Sequence, residues 1–533
     1  MSALINRVRR GYYADSVALM RASRGVSALA GVVAASLMVG TPSNKALLRE
    51  SGLLATEGEG AQPDDLVIAI RAKSARAAAA ALDEAGRLLE ARPAPAGAGY
   101  PRTRGLTSAL AALPQANLAL ISVPGAFAAP EARRALEAGL HVMLFSDHVA
   151  LADEAALKRL AVRKGLLMMG PDCGTCIIGG EPLAFANAVP RGSIGLISAS
   201  GTGLQEVSSL LARAGVGVSQ AIGVGGRDLS DEVGGLMSLA ALDALDADSA
   251  TRHIVIISKP PSARVAKKLL TRVGRSRKPF TICLLGTQGA KLPRNAGFAP
   301  TLLDAAERAA GRRIRGEARA PVAPREGWIR GLFCGGTLCA EAQLVLLGAG
   351  FELSSNVPVP GAKAHAGKAA GHLLLDLGDD AYTQGRPHPM IDPERRDAML
   401  GEALADPGVA VVLIDVVIGY GAHGDPAGLV AGVLDRAQRR RALVVASVTG
   451  TEADPQGYSR QVARLREAGV IVAGSNAEAA ALAATLVAAK PASTSATRSA
   501  RRAGSRAPAG TTGTRPSAAA RRGRSGASRR GKR

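Results

Sequence analysis

Short apolar runs alternate with longer Ala/Leu/Arg-rich stretches from residue 65 onward, and this alternation constrains the fold more than any other feature of the chain. Residues 65–72 and 116–125 are rich in Val, Ile and Leu and are typical of buried strands, while residues 74–91 and 152–165 have the spacing of amphipathic helices. Strands that alternate with such helices form a parallel sheet covered on both faces. The sequence therefore predicts an α/β protein.

The alternation restarts after a Pro- and Arg-rich linker, and the restart is an internal repeat. Residues 197–219 and 332–354 both place an apolar strand, a Gly-Thr turn, a Glu-bearing helix and a glycine stop in the same order, with Thr202 and Thr337 separated by 135 residues. That separation is the size of one α/β domain. We therefore predict parallel-sheet domains at residues 1–190, 191–311 and 328–490, a linker at 312–327 and a tail at 491–533.

The tail accounts for much of the basic character of the chain. The formal net charge is +22, and residues 491–533 hold twelve Arg or Lys residues and no acid, so the remaining residues carry +10. With almost no apolar side chain to bury, the tail is predicted to be disordered. Attraction to phosphates would give it weak, nonspecific nucleic-acid contact that salt reduces. The tail has no aromatic residue on which bases could stack.

Cysteine usage and hydropathy bear on the compartment. Five cysteines, an odd number in a long chain, favour a reducing cytoplasm over a disulfide framework. Cys173 and Cys176 have C-x-x-C spacing, but no second pair completes a zinc site, and we expect neither a metal nor a redox role. Residues 26–40 resemble a signal peptide, yet we interpret them as a buried strand and helix because the preceding charges lie too far inside the chain. No other segment reaches the length of a membrane span.

The Gly-Thr turns of the repeat indicate an anion site. In a parallel sheet the strand ends and the helix starts share one edge, where open α/β folds bind ligands. Glycine at a helix start lets an anion reach unpaired N–H groups, and hydroxyl groups add donors. One such turn is also an ordinary helix cap, but two copies and a third glycine-rich strand exit at 416–426 favour a phosphate or acyl-phosphate site. The predicted binding residues are Ser200, Gly201, Thr202, Gly203, Gly335, Gly336 and Thr337.

Several motifs resemble known families. Residues 117–175 look like the second half of the CoA-binding domain of the succinyl-CoA synthetase alpha subunit, with Asp172 where that family has Asn, and residues 192–206 resemble the start of its next domain. Residues 373–425 resemble the C-terminal ligase domain of the beta subunit. Longer motifs, including "MVGTPSNKALL", "GVGGRDLSDEVGG" and "VTGTEADPQ", are similar to the FdrA family over roughly residues 1–490.

The resemblance implies a particular architecture and parent chemistry. It implies a Rossmann-like CoA-binding-type domain followed by two flavodoxin-like domains of the succinyl-CoA synthetase type. The parent enzyme makes an acyl phosphate, passes the phosphate through a histidine, and holds it between two helix starts. This chain departs from that pattern: residues 292–300 contain no histidine, Ser258 and Lys259 stand where a glutamate is expected, and no ATP-grasp domain precedes the beta-like half. The glycine-rich CoA loop is reduced as well.

These departures favour an acyl-phosphate transferase. By the resemblance to FdrA proteins, we expect a subunit of a carbamoyl or acyl transferase of the oxamate carbamoyltransferase type, acting in purine and allantoin breakdown with partner subunits in a hetero-oligomer. One alternative is an acyl-CoA synthetase whose ATP-grasp partner is a separate chain. Another is a noncatalytic scaffold whose basic tail contacts nucleic acid. Phosphate or carbamoyl phosphate is the expected substrate, and CoA and Mg²⁺ are candidate ligands.

The remaining candidate residues lie at loops. Lys259 would add positive charge beside a phosphate, and His388, in a rigid Pro-flanked loop, or His423 would act as acid or base. A loop histidine is also commonly just exposed. The run Asp376, Asp379 and Asp380 fits either a Mg²⁺ site or a simple turn. By resemblance, CoA would contact Lys45, Val123, Pro124, Ser146 and Asp147. The histidines at 141, 148 and 253 are interpreted as structural.

Overall fold

The computed structural model describes residues 3–12, 16–90, 103, 105–287, 291–314, 322–365, 367, 371–383, 387–437 and 441–487. The tail predicted at 491–533 and part of the linker predicted at 312–327 lie outside these residues. Among the described residues, no helix combines the length and the apolar character that crossing a membrane requires.

The first module is a small antiparallel sheet with helices on its faces. Its strand order is β1-β3-β2. Side chains on the central strand alternate between two cores, because Leu66, Ile68 and Ile70 pack with the two long helices while Val67 and Ala69 face the other side. Its elements are β1 (Ala3–Arg9), α1 (Ser16–Ser27), β2 (Val32–Val39), α2 (Pro42–Glu50), α3 (Thr56–Glu59), β3 (Leu66–Ala72) and α4 (Ala75–Glu90).

The second module is a parallel sheet of three strands in the order β4-β5-β6. Buried residues such as Val142, Met143 and Leu144 form the middle strand, as the apolar run predicts. Its elements are α5 (Leu106–Ala112), β4 (Leu118–Ile121), α6 (Gly125–Glu137), β5 (His141–Leu144), α7 (Leu151–Lys164) and β6 (Met168–Met169).

The domain predicted at residues 1–190 differs from the structure. That stretch contains two separate sheets, and its last two strands, β7 (Thr175–Ile178) and β8 (Glu181–Ala184), join the sheet of the next domain. The physical reason is that a strand such as residues 66–72, buried on both faces, has the same apolar composition whether its neighbours run parallel or antiparallel. The apolar pattern located the strands but not their partners.

The third module is a seven-stranded sheet in the order β13-β12-β11-β9-β10-β7-β8. Its five strands from β13 to β10 are parallel, and β7 and β8 add an antiparallel hairpin at one edge. The further elements are β9 (Arg191–Ser198), α8 (Gly201–Arg213), β10 (Val218–Gly223), α9 (Leu236–Ala247), β11 (His253–Ser258), α10 (Ala263–Val273), β12 (Phe280–Leu284), β13 (Ala296–Phe298) and α11 (Leu302–Ala310).

The fourth module repeats this plan with seven parallel strands in the order β16-β15-β17-β14-β18-β19-β20. Its elements are β14 (Trp328–Phe333), α12 (Gly336–Gly348), β15 (Leu353–Ser355), β16 (Lys363–Ala364), β17 (His372–Asp376), α13 (Asp380–Thr383), α14 (Glu394–Ala405), β18 (Val409–Val417), α15 (Pro426–Arg436), β19 (Leu443–Thr449), α16 (Tyr458–Glu467), β20 (Ile471–Ala473) and α17 (Asn476–Thr485). The predicted α/β class with mainly parallel sheets is confirmed.

One hydrophobic core joins the third and fourth modules. Leu204 on α8 and Leu338 on α12 are completely buried in it, together with Ala306 on α11 and Ala480 on α17. The first helix of each repeat therefore packs in the joint between the two large sheets. This packing places the two helix starts, and the strand ends that precede them, in one region.

Candidate functional site

The two helix starts of the repeat meet. Strand β9 ends at Ser198 and α8 begins at Gly201, while β14 ends at Phe333 and α12 begins at Gly336. The hydroxyl oxygens of Ser200 and Thr337 lie 2.5 Å apart. The residues predicted for an anion site in two different domains are thus brought together, because each repeat contributes its own β-strand, turn and helix to the joint.

Glycine at this joint lets the two backbones approach. A Cβ atom at Gly203 would lie 3.2 Å from Thr337 Cγ2, and a Cβ at Gly335 would lie 3.0 Å from both Cβ and Cγ2 of Thr202. The contact is reciprocal, since the threonine of each repeat lies against a glycine of the other. A larger side chain at either glycine would push the helices apart, which explains the absence of bulky residues at both turns.

The α8 start is capped by a neutral side chain. Ser200 Oγ accepts a hydrogen bond from the Gly203 N–H at 2.9 Å. The N–H groups of Gly201 and Thr202 stand in the first turn, where an α-helix offers them no acceptor of its own. The helix dipole adds partial positive charge at this end. This start therefore has the chemistry to bind an anion.

Carboxylates surround the α12 start instead. Asp415, on β18, is fully buried and accepts hydrogen bonds from the Cys334 N–H at 2.6 Å and the Gly335 N–H at 2.7 Å. At the end of β17, Asp376 is 6% exposed; its Oδ1 accepts from the Gly378 N–H at 3.0 Å. Its Oδ2 points at Gly336, where a Cβ would lie only 2.4 Å away. Burial raises the pKa of each carboxyl group to about 6.

Lys259, in the third module, places a positive charge near the α12 start of the fourth module. It follows β11 directly, and its side chain is exposed. Its positive charge opposes the burial-driven rise in the pKa of Asp376 and acts on Cys339 of α12 as well. The structure therefore brings the predicted lysine to the edge where the two repeats meet.

His388 and His423 lie in neighbouring loops joined through Met390. The Met390 N–H donates to His388 Nδ1 at 3.2 Å, and the Met390 carbonyl accepts from the His423 N–H at 2.8 Å. Since Nδ1 of His388 accepts, its ring proton is assigned to Nε2, which would lie 2.7 Å from a Cβ at Gly378. Burial lowers the pKa of His388 to about 4, so its ring is neutral at pH 7. His423 Nδ1 accepts from the Asp425 N–H.

The residues predicted to contact CoA divide into two groups. Ser146 Oγ donates to the Val123 carbonyl at 2.5 Å, so the exits of β4 and β5 meet next to Pro124, which caps α6. Asp147 Oδ1 lies 2.9 Å from His148 Nδ1. Lys45, the other predicted contact, belongs to the first module.

The amine of Lys45 is used inside the first module. Its Nζ donates to the carbonyls of Glu59 at 3.1 Å and Ala61 at 3.0 Å, at the end of α3. The physical reason is that the carbonyls at the end of this short helix lack intrahelical donors, and the lysine supplies them. The amine of Lys45 thus closes a local turn, and its contact with CoA stays a prediction.

His148, interpreted from sequence as structural, lies between two modules. Its Nε2 is 3.6 Å from Asp380 Oδ2, and the hydrogen bond with Asp147 raises its pKa. No group of three or more His, Cys, Asp or Glu residues in the described part of the chain is arranged to hold a metal ion. The run Asp376, Asp379 and Asp380 therefore gains no support as a Mg²⁺ site.

The C-x-x-C pair is part of a core. Cys173 and Cys176 are both free and buried, with sulfur atoms 3.5 Å apart, and Cys176 Sγ lies 3.4 Å from Met169 Sδ. The hydrogen bond with Cys176 and burial raise the pKa of Cys173 well above its usual value. A thiol in this state is a poor nucleophile.

Sequence reasoning missed a pair of buried glutamates at equivalent positions of the repeat. Glu206 accepts from the Asn476 N–H at 3.2 Å and from the hydroxyl of Thr449. Glu341 accepts from the Leu302 N–H at 2.6 Å and from Asn476 Nδ2 at 2.7 Å. Each glutamate thus accepts a backbone hydrogen bond from the start of the last helix of the other domain: Glu206 from α17 and Glu341 from α11. The available signal was that both helices carry Glu four residues after the repeat threonine.

Two families match parts of the chain. The CoA-ligase family matches residues 332–486, which include β17, β18 and α12. A family described as AllF, heavy metal-associated domain, matches residues 1–103. The sequence has no Cys or His before residue 141, so this module lacks the thiol and imidazole ligands that soft metals prefer.

Two curated proteins and one solved structure are also similar to this chain. The Escherichia coli K12 protein named "Uncharacterized protein YahF" is 42% identical over 500 residues, which are 89% of this chain and 97% of YahF. The alpha subunit of the ADP-forming succinate–CoA ligase of Staphylococcus epidermidis is 27% identical over 207 residues, 38% of this chain and 66% of that subunit. A dinucleotide-forming acetyl-coenzyme A synthetase of Ca. Korarchaeum cryptofilum, solved with phosphate and ADP, matches 69% of this chain and 82% of its own at 16% identity and a TM-score of 0.27. Residues 332–486 match the CoA-ligase family, and the chain belongs to the YahF family.

Proposed function

We propose that this protein is a subunit of an acyl-phosphate-dependent transferase, of the oxamate carbamoyltransferase type expected for FdrA proteins. In that reaction a nitrogen of the acceptor attacks the carbonyl carbon of carbamoyl phosphate. The C–N bond forms, the C–O bond to phosphate breaks, and inorganic phosphate leaves. Partner subunits, and a place in purine or allantoin breakdown, belong to the same proposal.

The observation that carries the proposal is the meeting of Ser200 and Thr337. The first turn of α8, whose N–H groups have no acceptor within the helix, and the hydroxyl groups of Ser200 and Thr337 form an environment in which phosphate oxygens and a developing oxyanion are stabilised. Lys259 supplies a cation at the same edge. Both starts belong to one chain, so the site needs no second subunit to supply a helix.

The phosphohistidine relay of the resembled ligases finds no support in the described residues. Where its histidine is expected, Asn295 Nδ2 lies within 3.1 Å of the carbonyls of Val273, Ser276 and Lys278. A Cβ at Gly297 would lie 1.9 Å from Arg308 Nε. These positions are filled by local packing, so an acyl phosphate made elsewhere, rather than one made here from nucleotide, is the favoured substrate.

A second candidate function is an acyl-CoA synthetase whose ATP-grasp partner is a separate chain. The match of residues 332–486 to the CoA-ligase family favours it. So does the contact between Ser146 and Val123, which lies at the edge where the resemblance expects CoA. In that case the chain would bind CoA, and nucleotide would be consumed only with the partner present.

Ligand-dependent stability distinguishes the two candidates. A ligand that binds only the folded state raises the melting temperature. We expect inorganic phosphate and carbamoyl phosphate to raise it for the full chain, ATP to leave it unchanged, and Ser200→Ala to reduce the phosphate shift. Asp435→Asn, at an exposed position on α15, is the matched control and should keep the shift. A shift with CoA or ATP but not phosphate would favour the synthetase, and no shift with any ligand would contradict both.

Turnover provides the second test. The transferase proposal expects phosphate-dependent cleavage of oxalurate, yielding carbamoyl phosphate and oxamate, without nucleotide. This reaction should be measured with the full chain alone and with its co-purifying subunits. Nucleotide consumption coupled to CoA would instead establish the synthetase.

A further inference from the structure

The α12 start contains a carboxylate oxygen with no hydrogen-bond donor in the described part of the chain. Asp376 is 6% exposed, and while its Oδ1 accepts from the Gly378 N–H, its Oδ2 has no hydrogen-bond donor among the described residues. That oxygen points at Gly336, the first residue of α12. Because Gly336 has no Cβ, the Asp376 carboxylate can lie against the first residue of α12. A carboxylate oxygen of a largely buried side chain, aimed at a helix start next to the Ser200–Thr337 contact, is placed to meet a ligand group there.

The fixed charges around the site divide it into two ends. At α12 the Cys334 and Gly335 N–H groups are already taken by the buried Asp415 carboxylate, so an anion would meet two acids there. At α8 the cap is the neutral Ser200 hydroxyl. A phosphate group is therefore favoured at α8, and the group that faces Asp376 must be one that gives up or shares a proton.

We propose that Asp376 is the general base of the transfer, and that the acyl acceptor is a proton-bearing nucleophile, an amide, amine or thiol, rather than a carboxylate. This inference rests on the proposed transferase function and names the residue and acceptor class of that same site. A carboxylate nucleophile needs no base and would be repelled by Asp376 and Asp415. An amide or thiol must lose a proton as it attacks, and Asp376 Oδ2 is placed to accept it.

The step balances without any further reactant. The nucleophile N–H or S–H gives its proton to Asp376 Oδ2 as its lone pair forms the bond to the carbonyl carbon. The C–O bond to phosphate then breaks, and its electron pair leaves with the phosphate held at the α8 start. The proton on Asp376 passes to the departing phosphate or to solvent, which returns the carboxylate to its initial state.

The groups facing Asp376 suit this role. Lys259 stabilises its ionised form, whereas Asp415 on β18 and Asp379 on its own loop oppose ionisation. Cys339 on α12 is a buried thiol that stays protonated, and His388 is a neutral ring whose Nε2 lies near the same loop. Burial raises the pKa of Asp376 to about 6, so most of the group is ionised at pH 7 and ready to accept a proton. A phosphate dianion bound nearby raises that pKa further.

Binding-linked proton uptake tests the proposal without requiring turnover. Phosphate binding to the full chain is measured by calorimetry at pH 6.5 in two buffers of different ionisation enthalpy. For each phosphate bound, the wild type should take up about 0.2 proton or more in excess of the uptake by Asp376→Asn. The ionisation of phosphate is the same for both proteins and cancels. Asp435→Asn, an exposed carboxylate variant, should match the wild type, and circular dichroism verifies that Asp376→Asn is folded.

Each outcome decides a different point. No phosphate binding by the wild type would overturn the proposed function itself. Phosphate binding with equal proton uptake by wild type and Asp376→Asn would leave the transferase proposal standing and overturn the role of Asp376. If Asp376→Asn does not fold, Asp376→Glu, which keeps the acid at a shifted position, must keep the linked proton uptake.

Kinetics supply the second readout. In oxalurate formation, Asp376→Asn should lower kcat by about 100-fold or more, with KM for the phosphate substrate within about threefold, and it should remove the acidic limb of the pH profile. Asp376→Glu should restore part of kcat. A kcat for Asp376→Asn within threefold of wild type would contradict the proposal.

Discussion

The helix starts of α8 and α12 occupy equivalent positions of the internal repeat, and yet they differ in charge. Ser200 caps α8 with a hydroxyl group and Gly335 stands at the same position before α12, where it offers no side chain. The missing cap is replaced by Asp415, a carboxylate from a neighbouring strand that accepts from the Gly335 N–H. The two helix starts therefore occupy equivalent places in the repeat but lie in different chemical environments.

In the transferase that we propose, this difference would let a duplicated unit serve an asymmetric reaction. Acyl transfer needs a place for the phosphate and a place for the attacking group, and the two have opposite electrostatic requirements. Helix geometry alone would make two similar anion sites. The substitution of a carboxylate for a hydroxyl at one start makes one end suited to phosphate and the other suited to a proton-bearing group.

The largest expected effect comes from adding one methyl group at equivalent first-turn positions. In Gly336→Ala the new Cβ would lie 2.4 Å from Asp376 Oδ2, so the buried carboxylate must move. We expect a loss of about 2–3 kcal/mol in the free energy of unfolding, the upper part of the range for overpacking. Denaturant unfolding monitored by circular dichroism measures it.

The matched variant is Gly201→Ala. Its new Cβ would lie 3.2 Å from Thr175 Oγ1, a contact that a small shift relieves, so a change within about 0.5 kcal/mol is expected. Equal losses for the two alanine variants would show that both starts are equally crowded, and the distinction drawn from Asp376 would not hold.

The buried glutamates of the repeat provide a pH-dependent comparison. Burial raises the pKa of Glu341 to about 8 in the folded protein, against 4.5 for its ordinary value. The folded state therefore holds an extra proton between these values, and the stability from this group is full below pH 4.5 and lost as the pH rises towards 8. Glu341→Gln removes this titration. Its stability relative to wild type should improve by about 2 kcal/mol from pH 5 to 6.5.

Glu206→Gln is the control for that measurement. Burial raises the pKa of Glu206 too, but the nearby Arg213 opposes the rise, so the pH dependence of this variant should be smaller. Melting temperatures of both variants and of wild type, read across the same buffers, give the comparison. A larger pH effect for Glu206→Gln than for Glu341→Gln would reverse the assignment.

Parts of this site that a local sequence pattern marks could be predicted, and parts that depend on packing between distant strands could not. The repeat placed Ser200 and Thr337 at helix starts, and parallel sheets place such starts at one edge, so their presence near a common edge followed from sequence. The role of Asp415 did not follow. Asp415 lies within β18, 80 residues along the chain from Gly335, whose N–H donates to its carboxylate. Only the pairing of β18 with β14 brings the two residues together.

The first module shows a different limit. Motif resemblance predicts a CoA contact for Lys45, and local pattern gave no sign that its amine donates to the carbonyls of Glu59 and Ala61. The apolar runs located β3, and a strand within residues 26–40 where β2 lies, but pairing direction depends on the connections between strands and not on strand composition. Element positions were therefore more predictable than the partners of each element.

The smallest expected effect separates the two hydroxyl groups at the joint. Ser200→Ala removes both the cap on the Gly203 N–H and the contact with Thr337, so it should cost about 1 kcal/mol of stability. Thr337→Val keeps the shape of the side chain and loses only the contact, which predicts about 0.5 kcal/mol. Denaturant unfolding of both single variants and the double variant measures these costs and the coupling between the two hydroxyl groups.

Phosphate affinity extends this comparison to function. Because the α8 start is the end without a carboxylate, Ser200→Ala should weaken phosphate binding more than Thr337→Val does, with the two affinities read by calorimetry on folded protein. The double variant should lose less stability than the sum of the two single variants, since both remove the same contact. A Thr337→Val variant that costs more stability or more phosphate affinity than Ser200→Ala would mean that α12, despite its two acids, is the end that holds the anion.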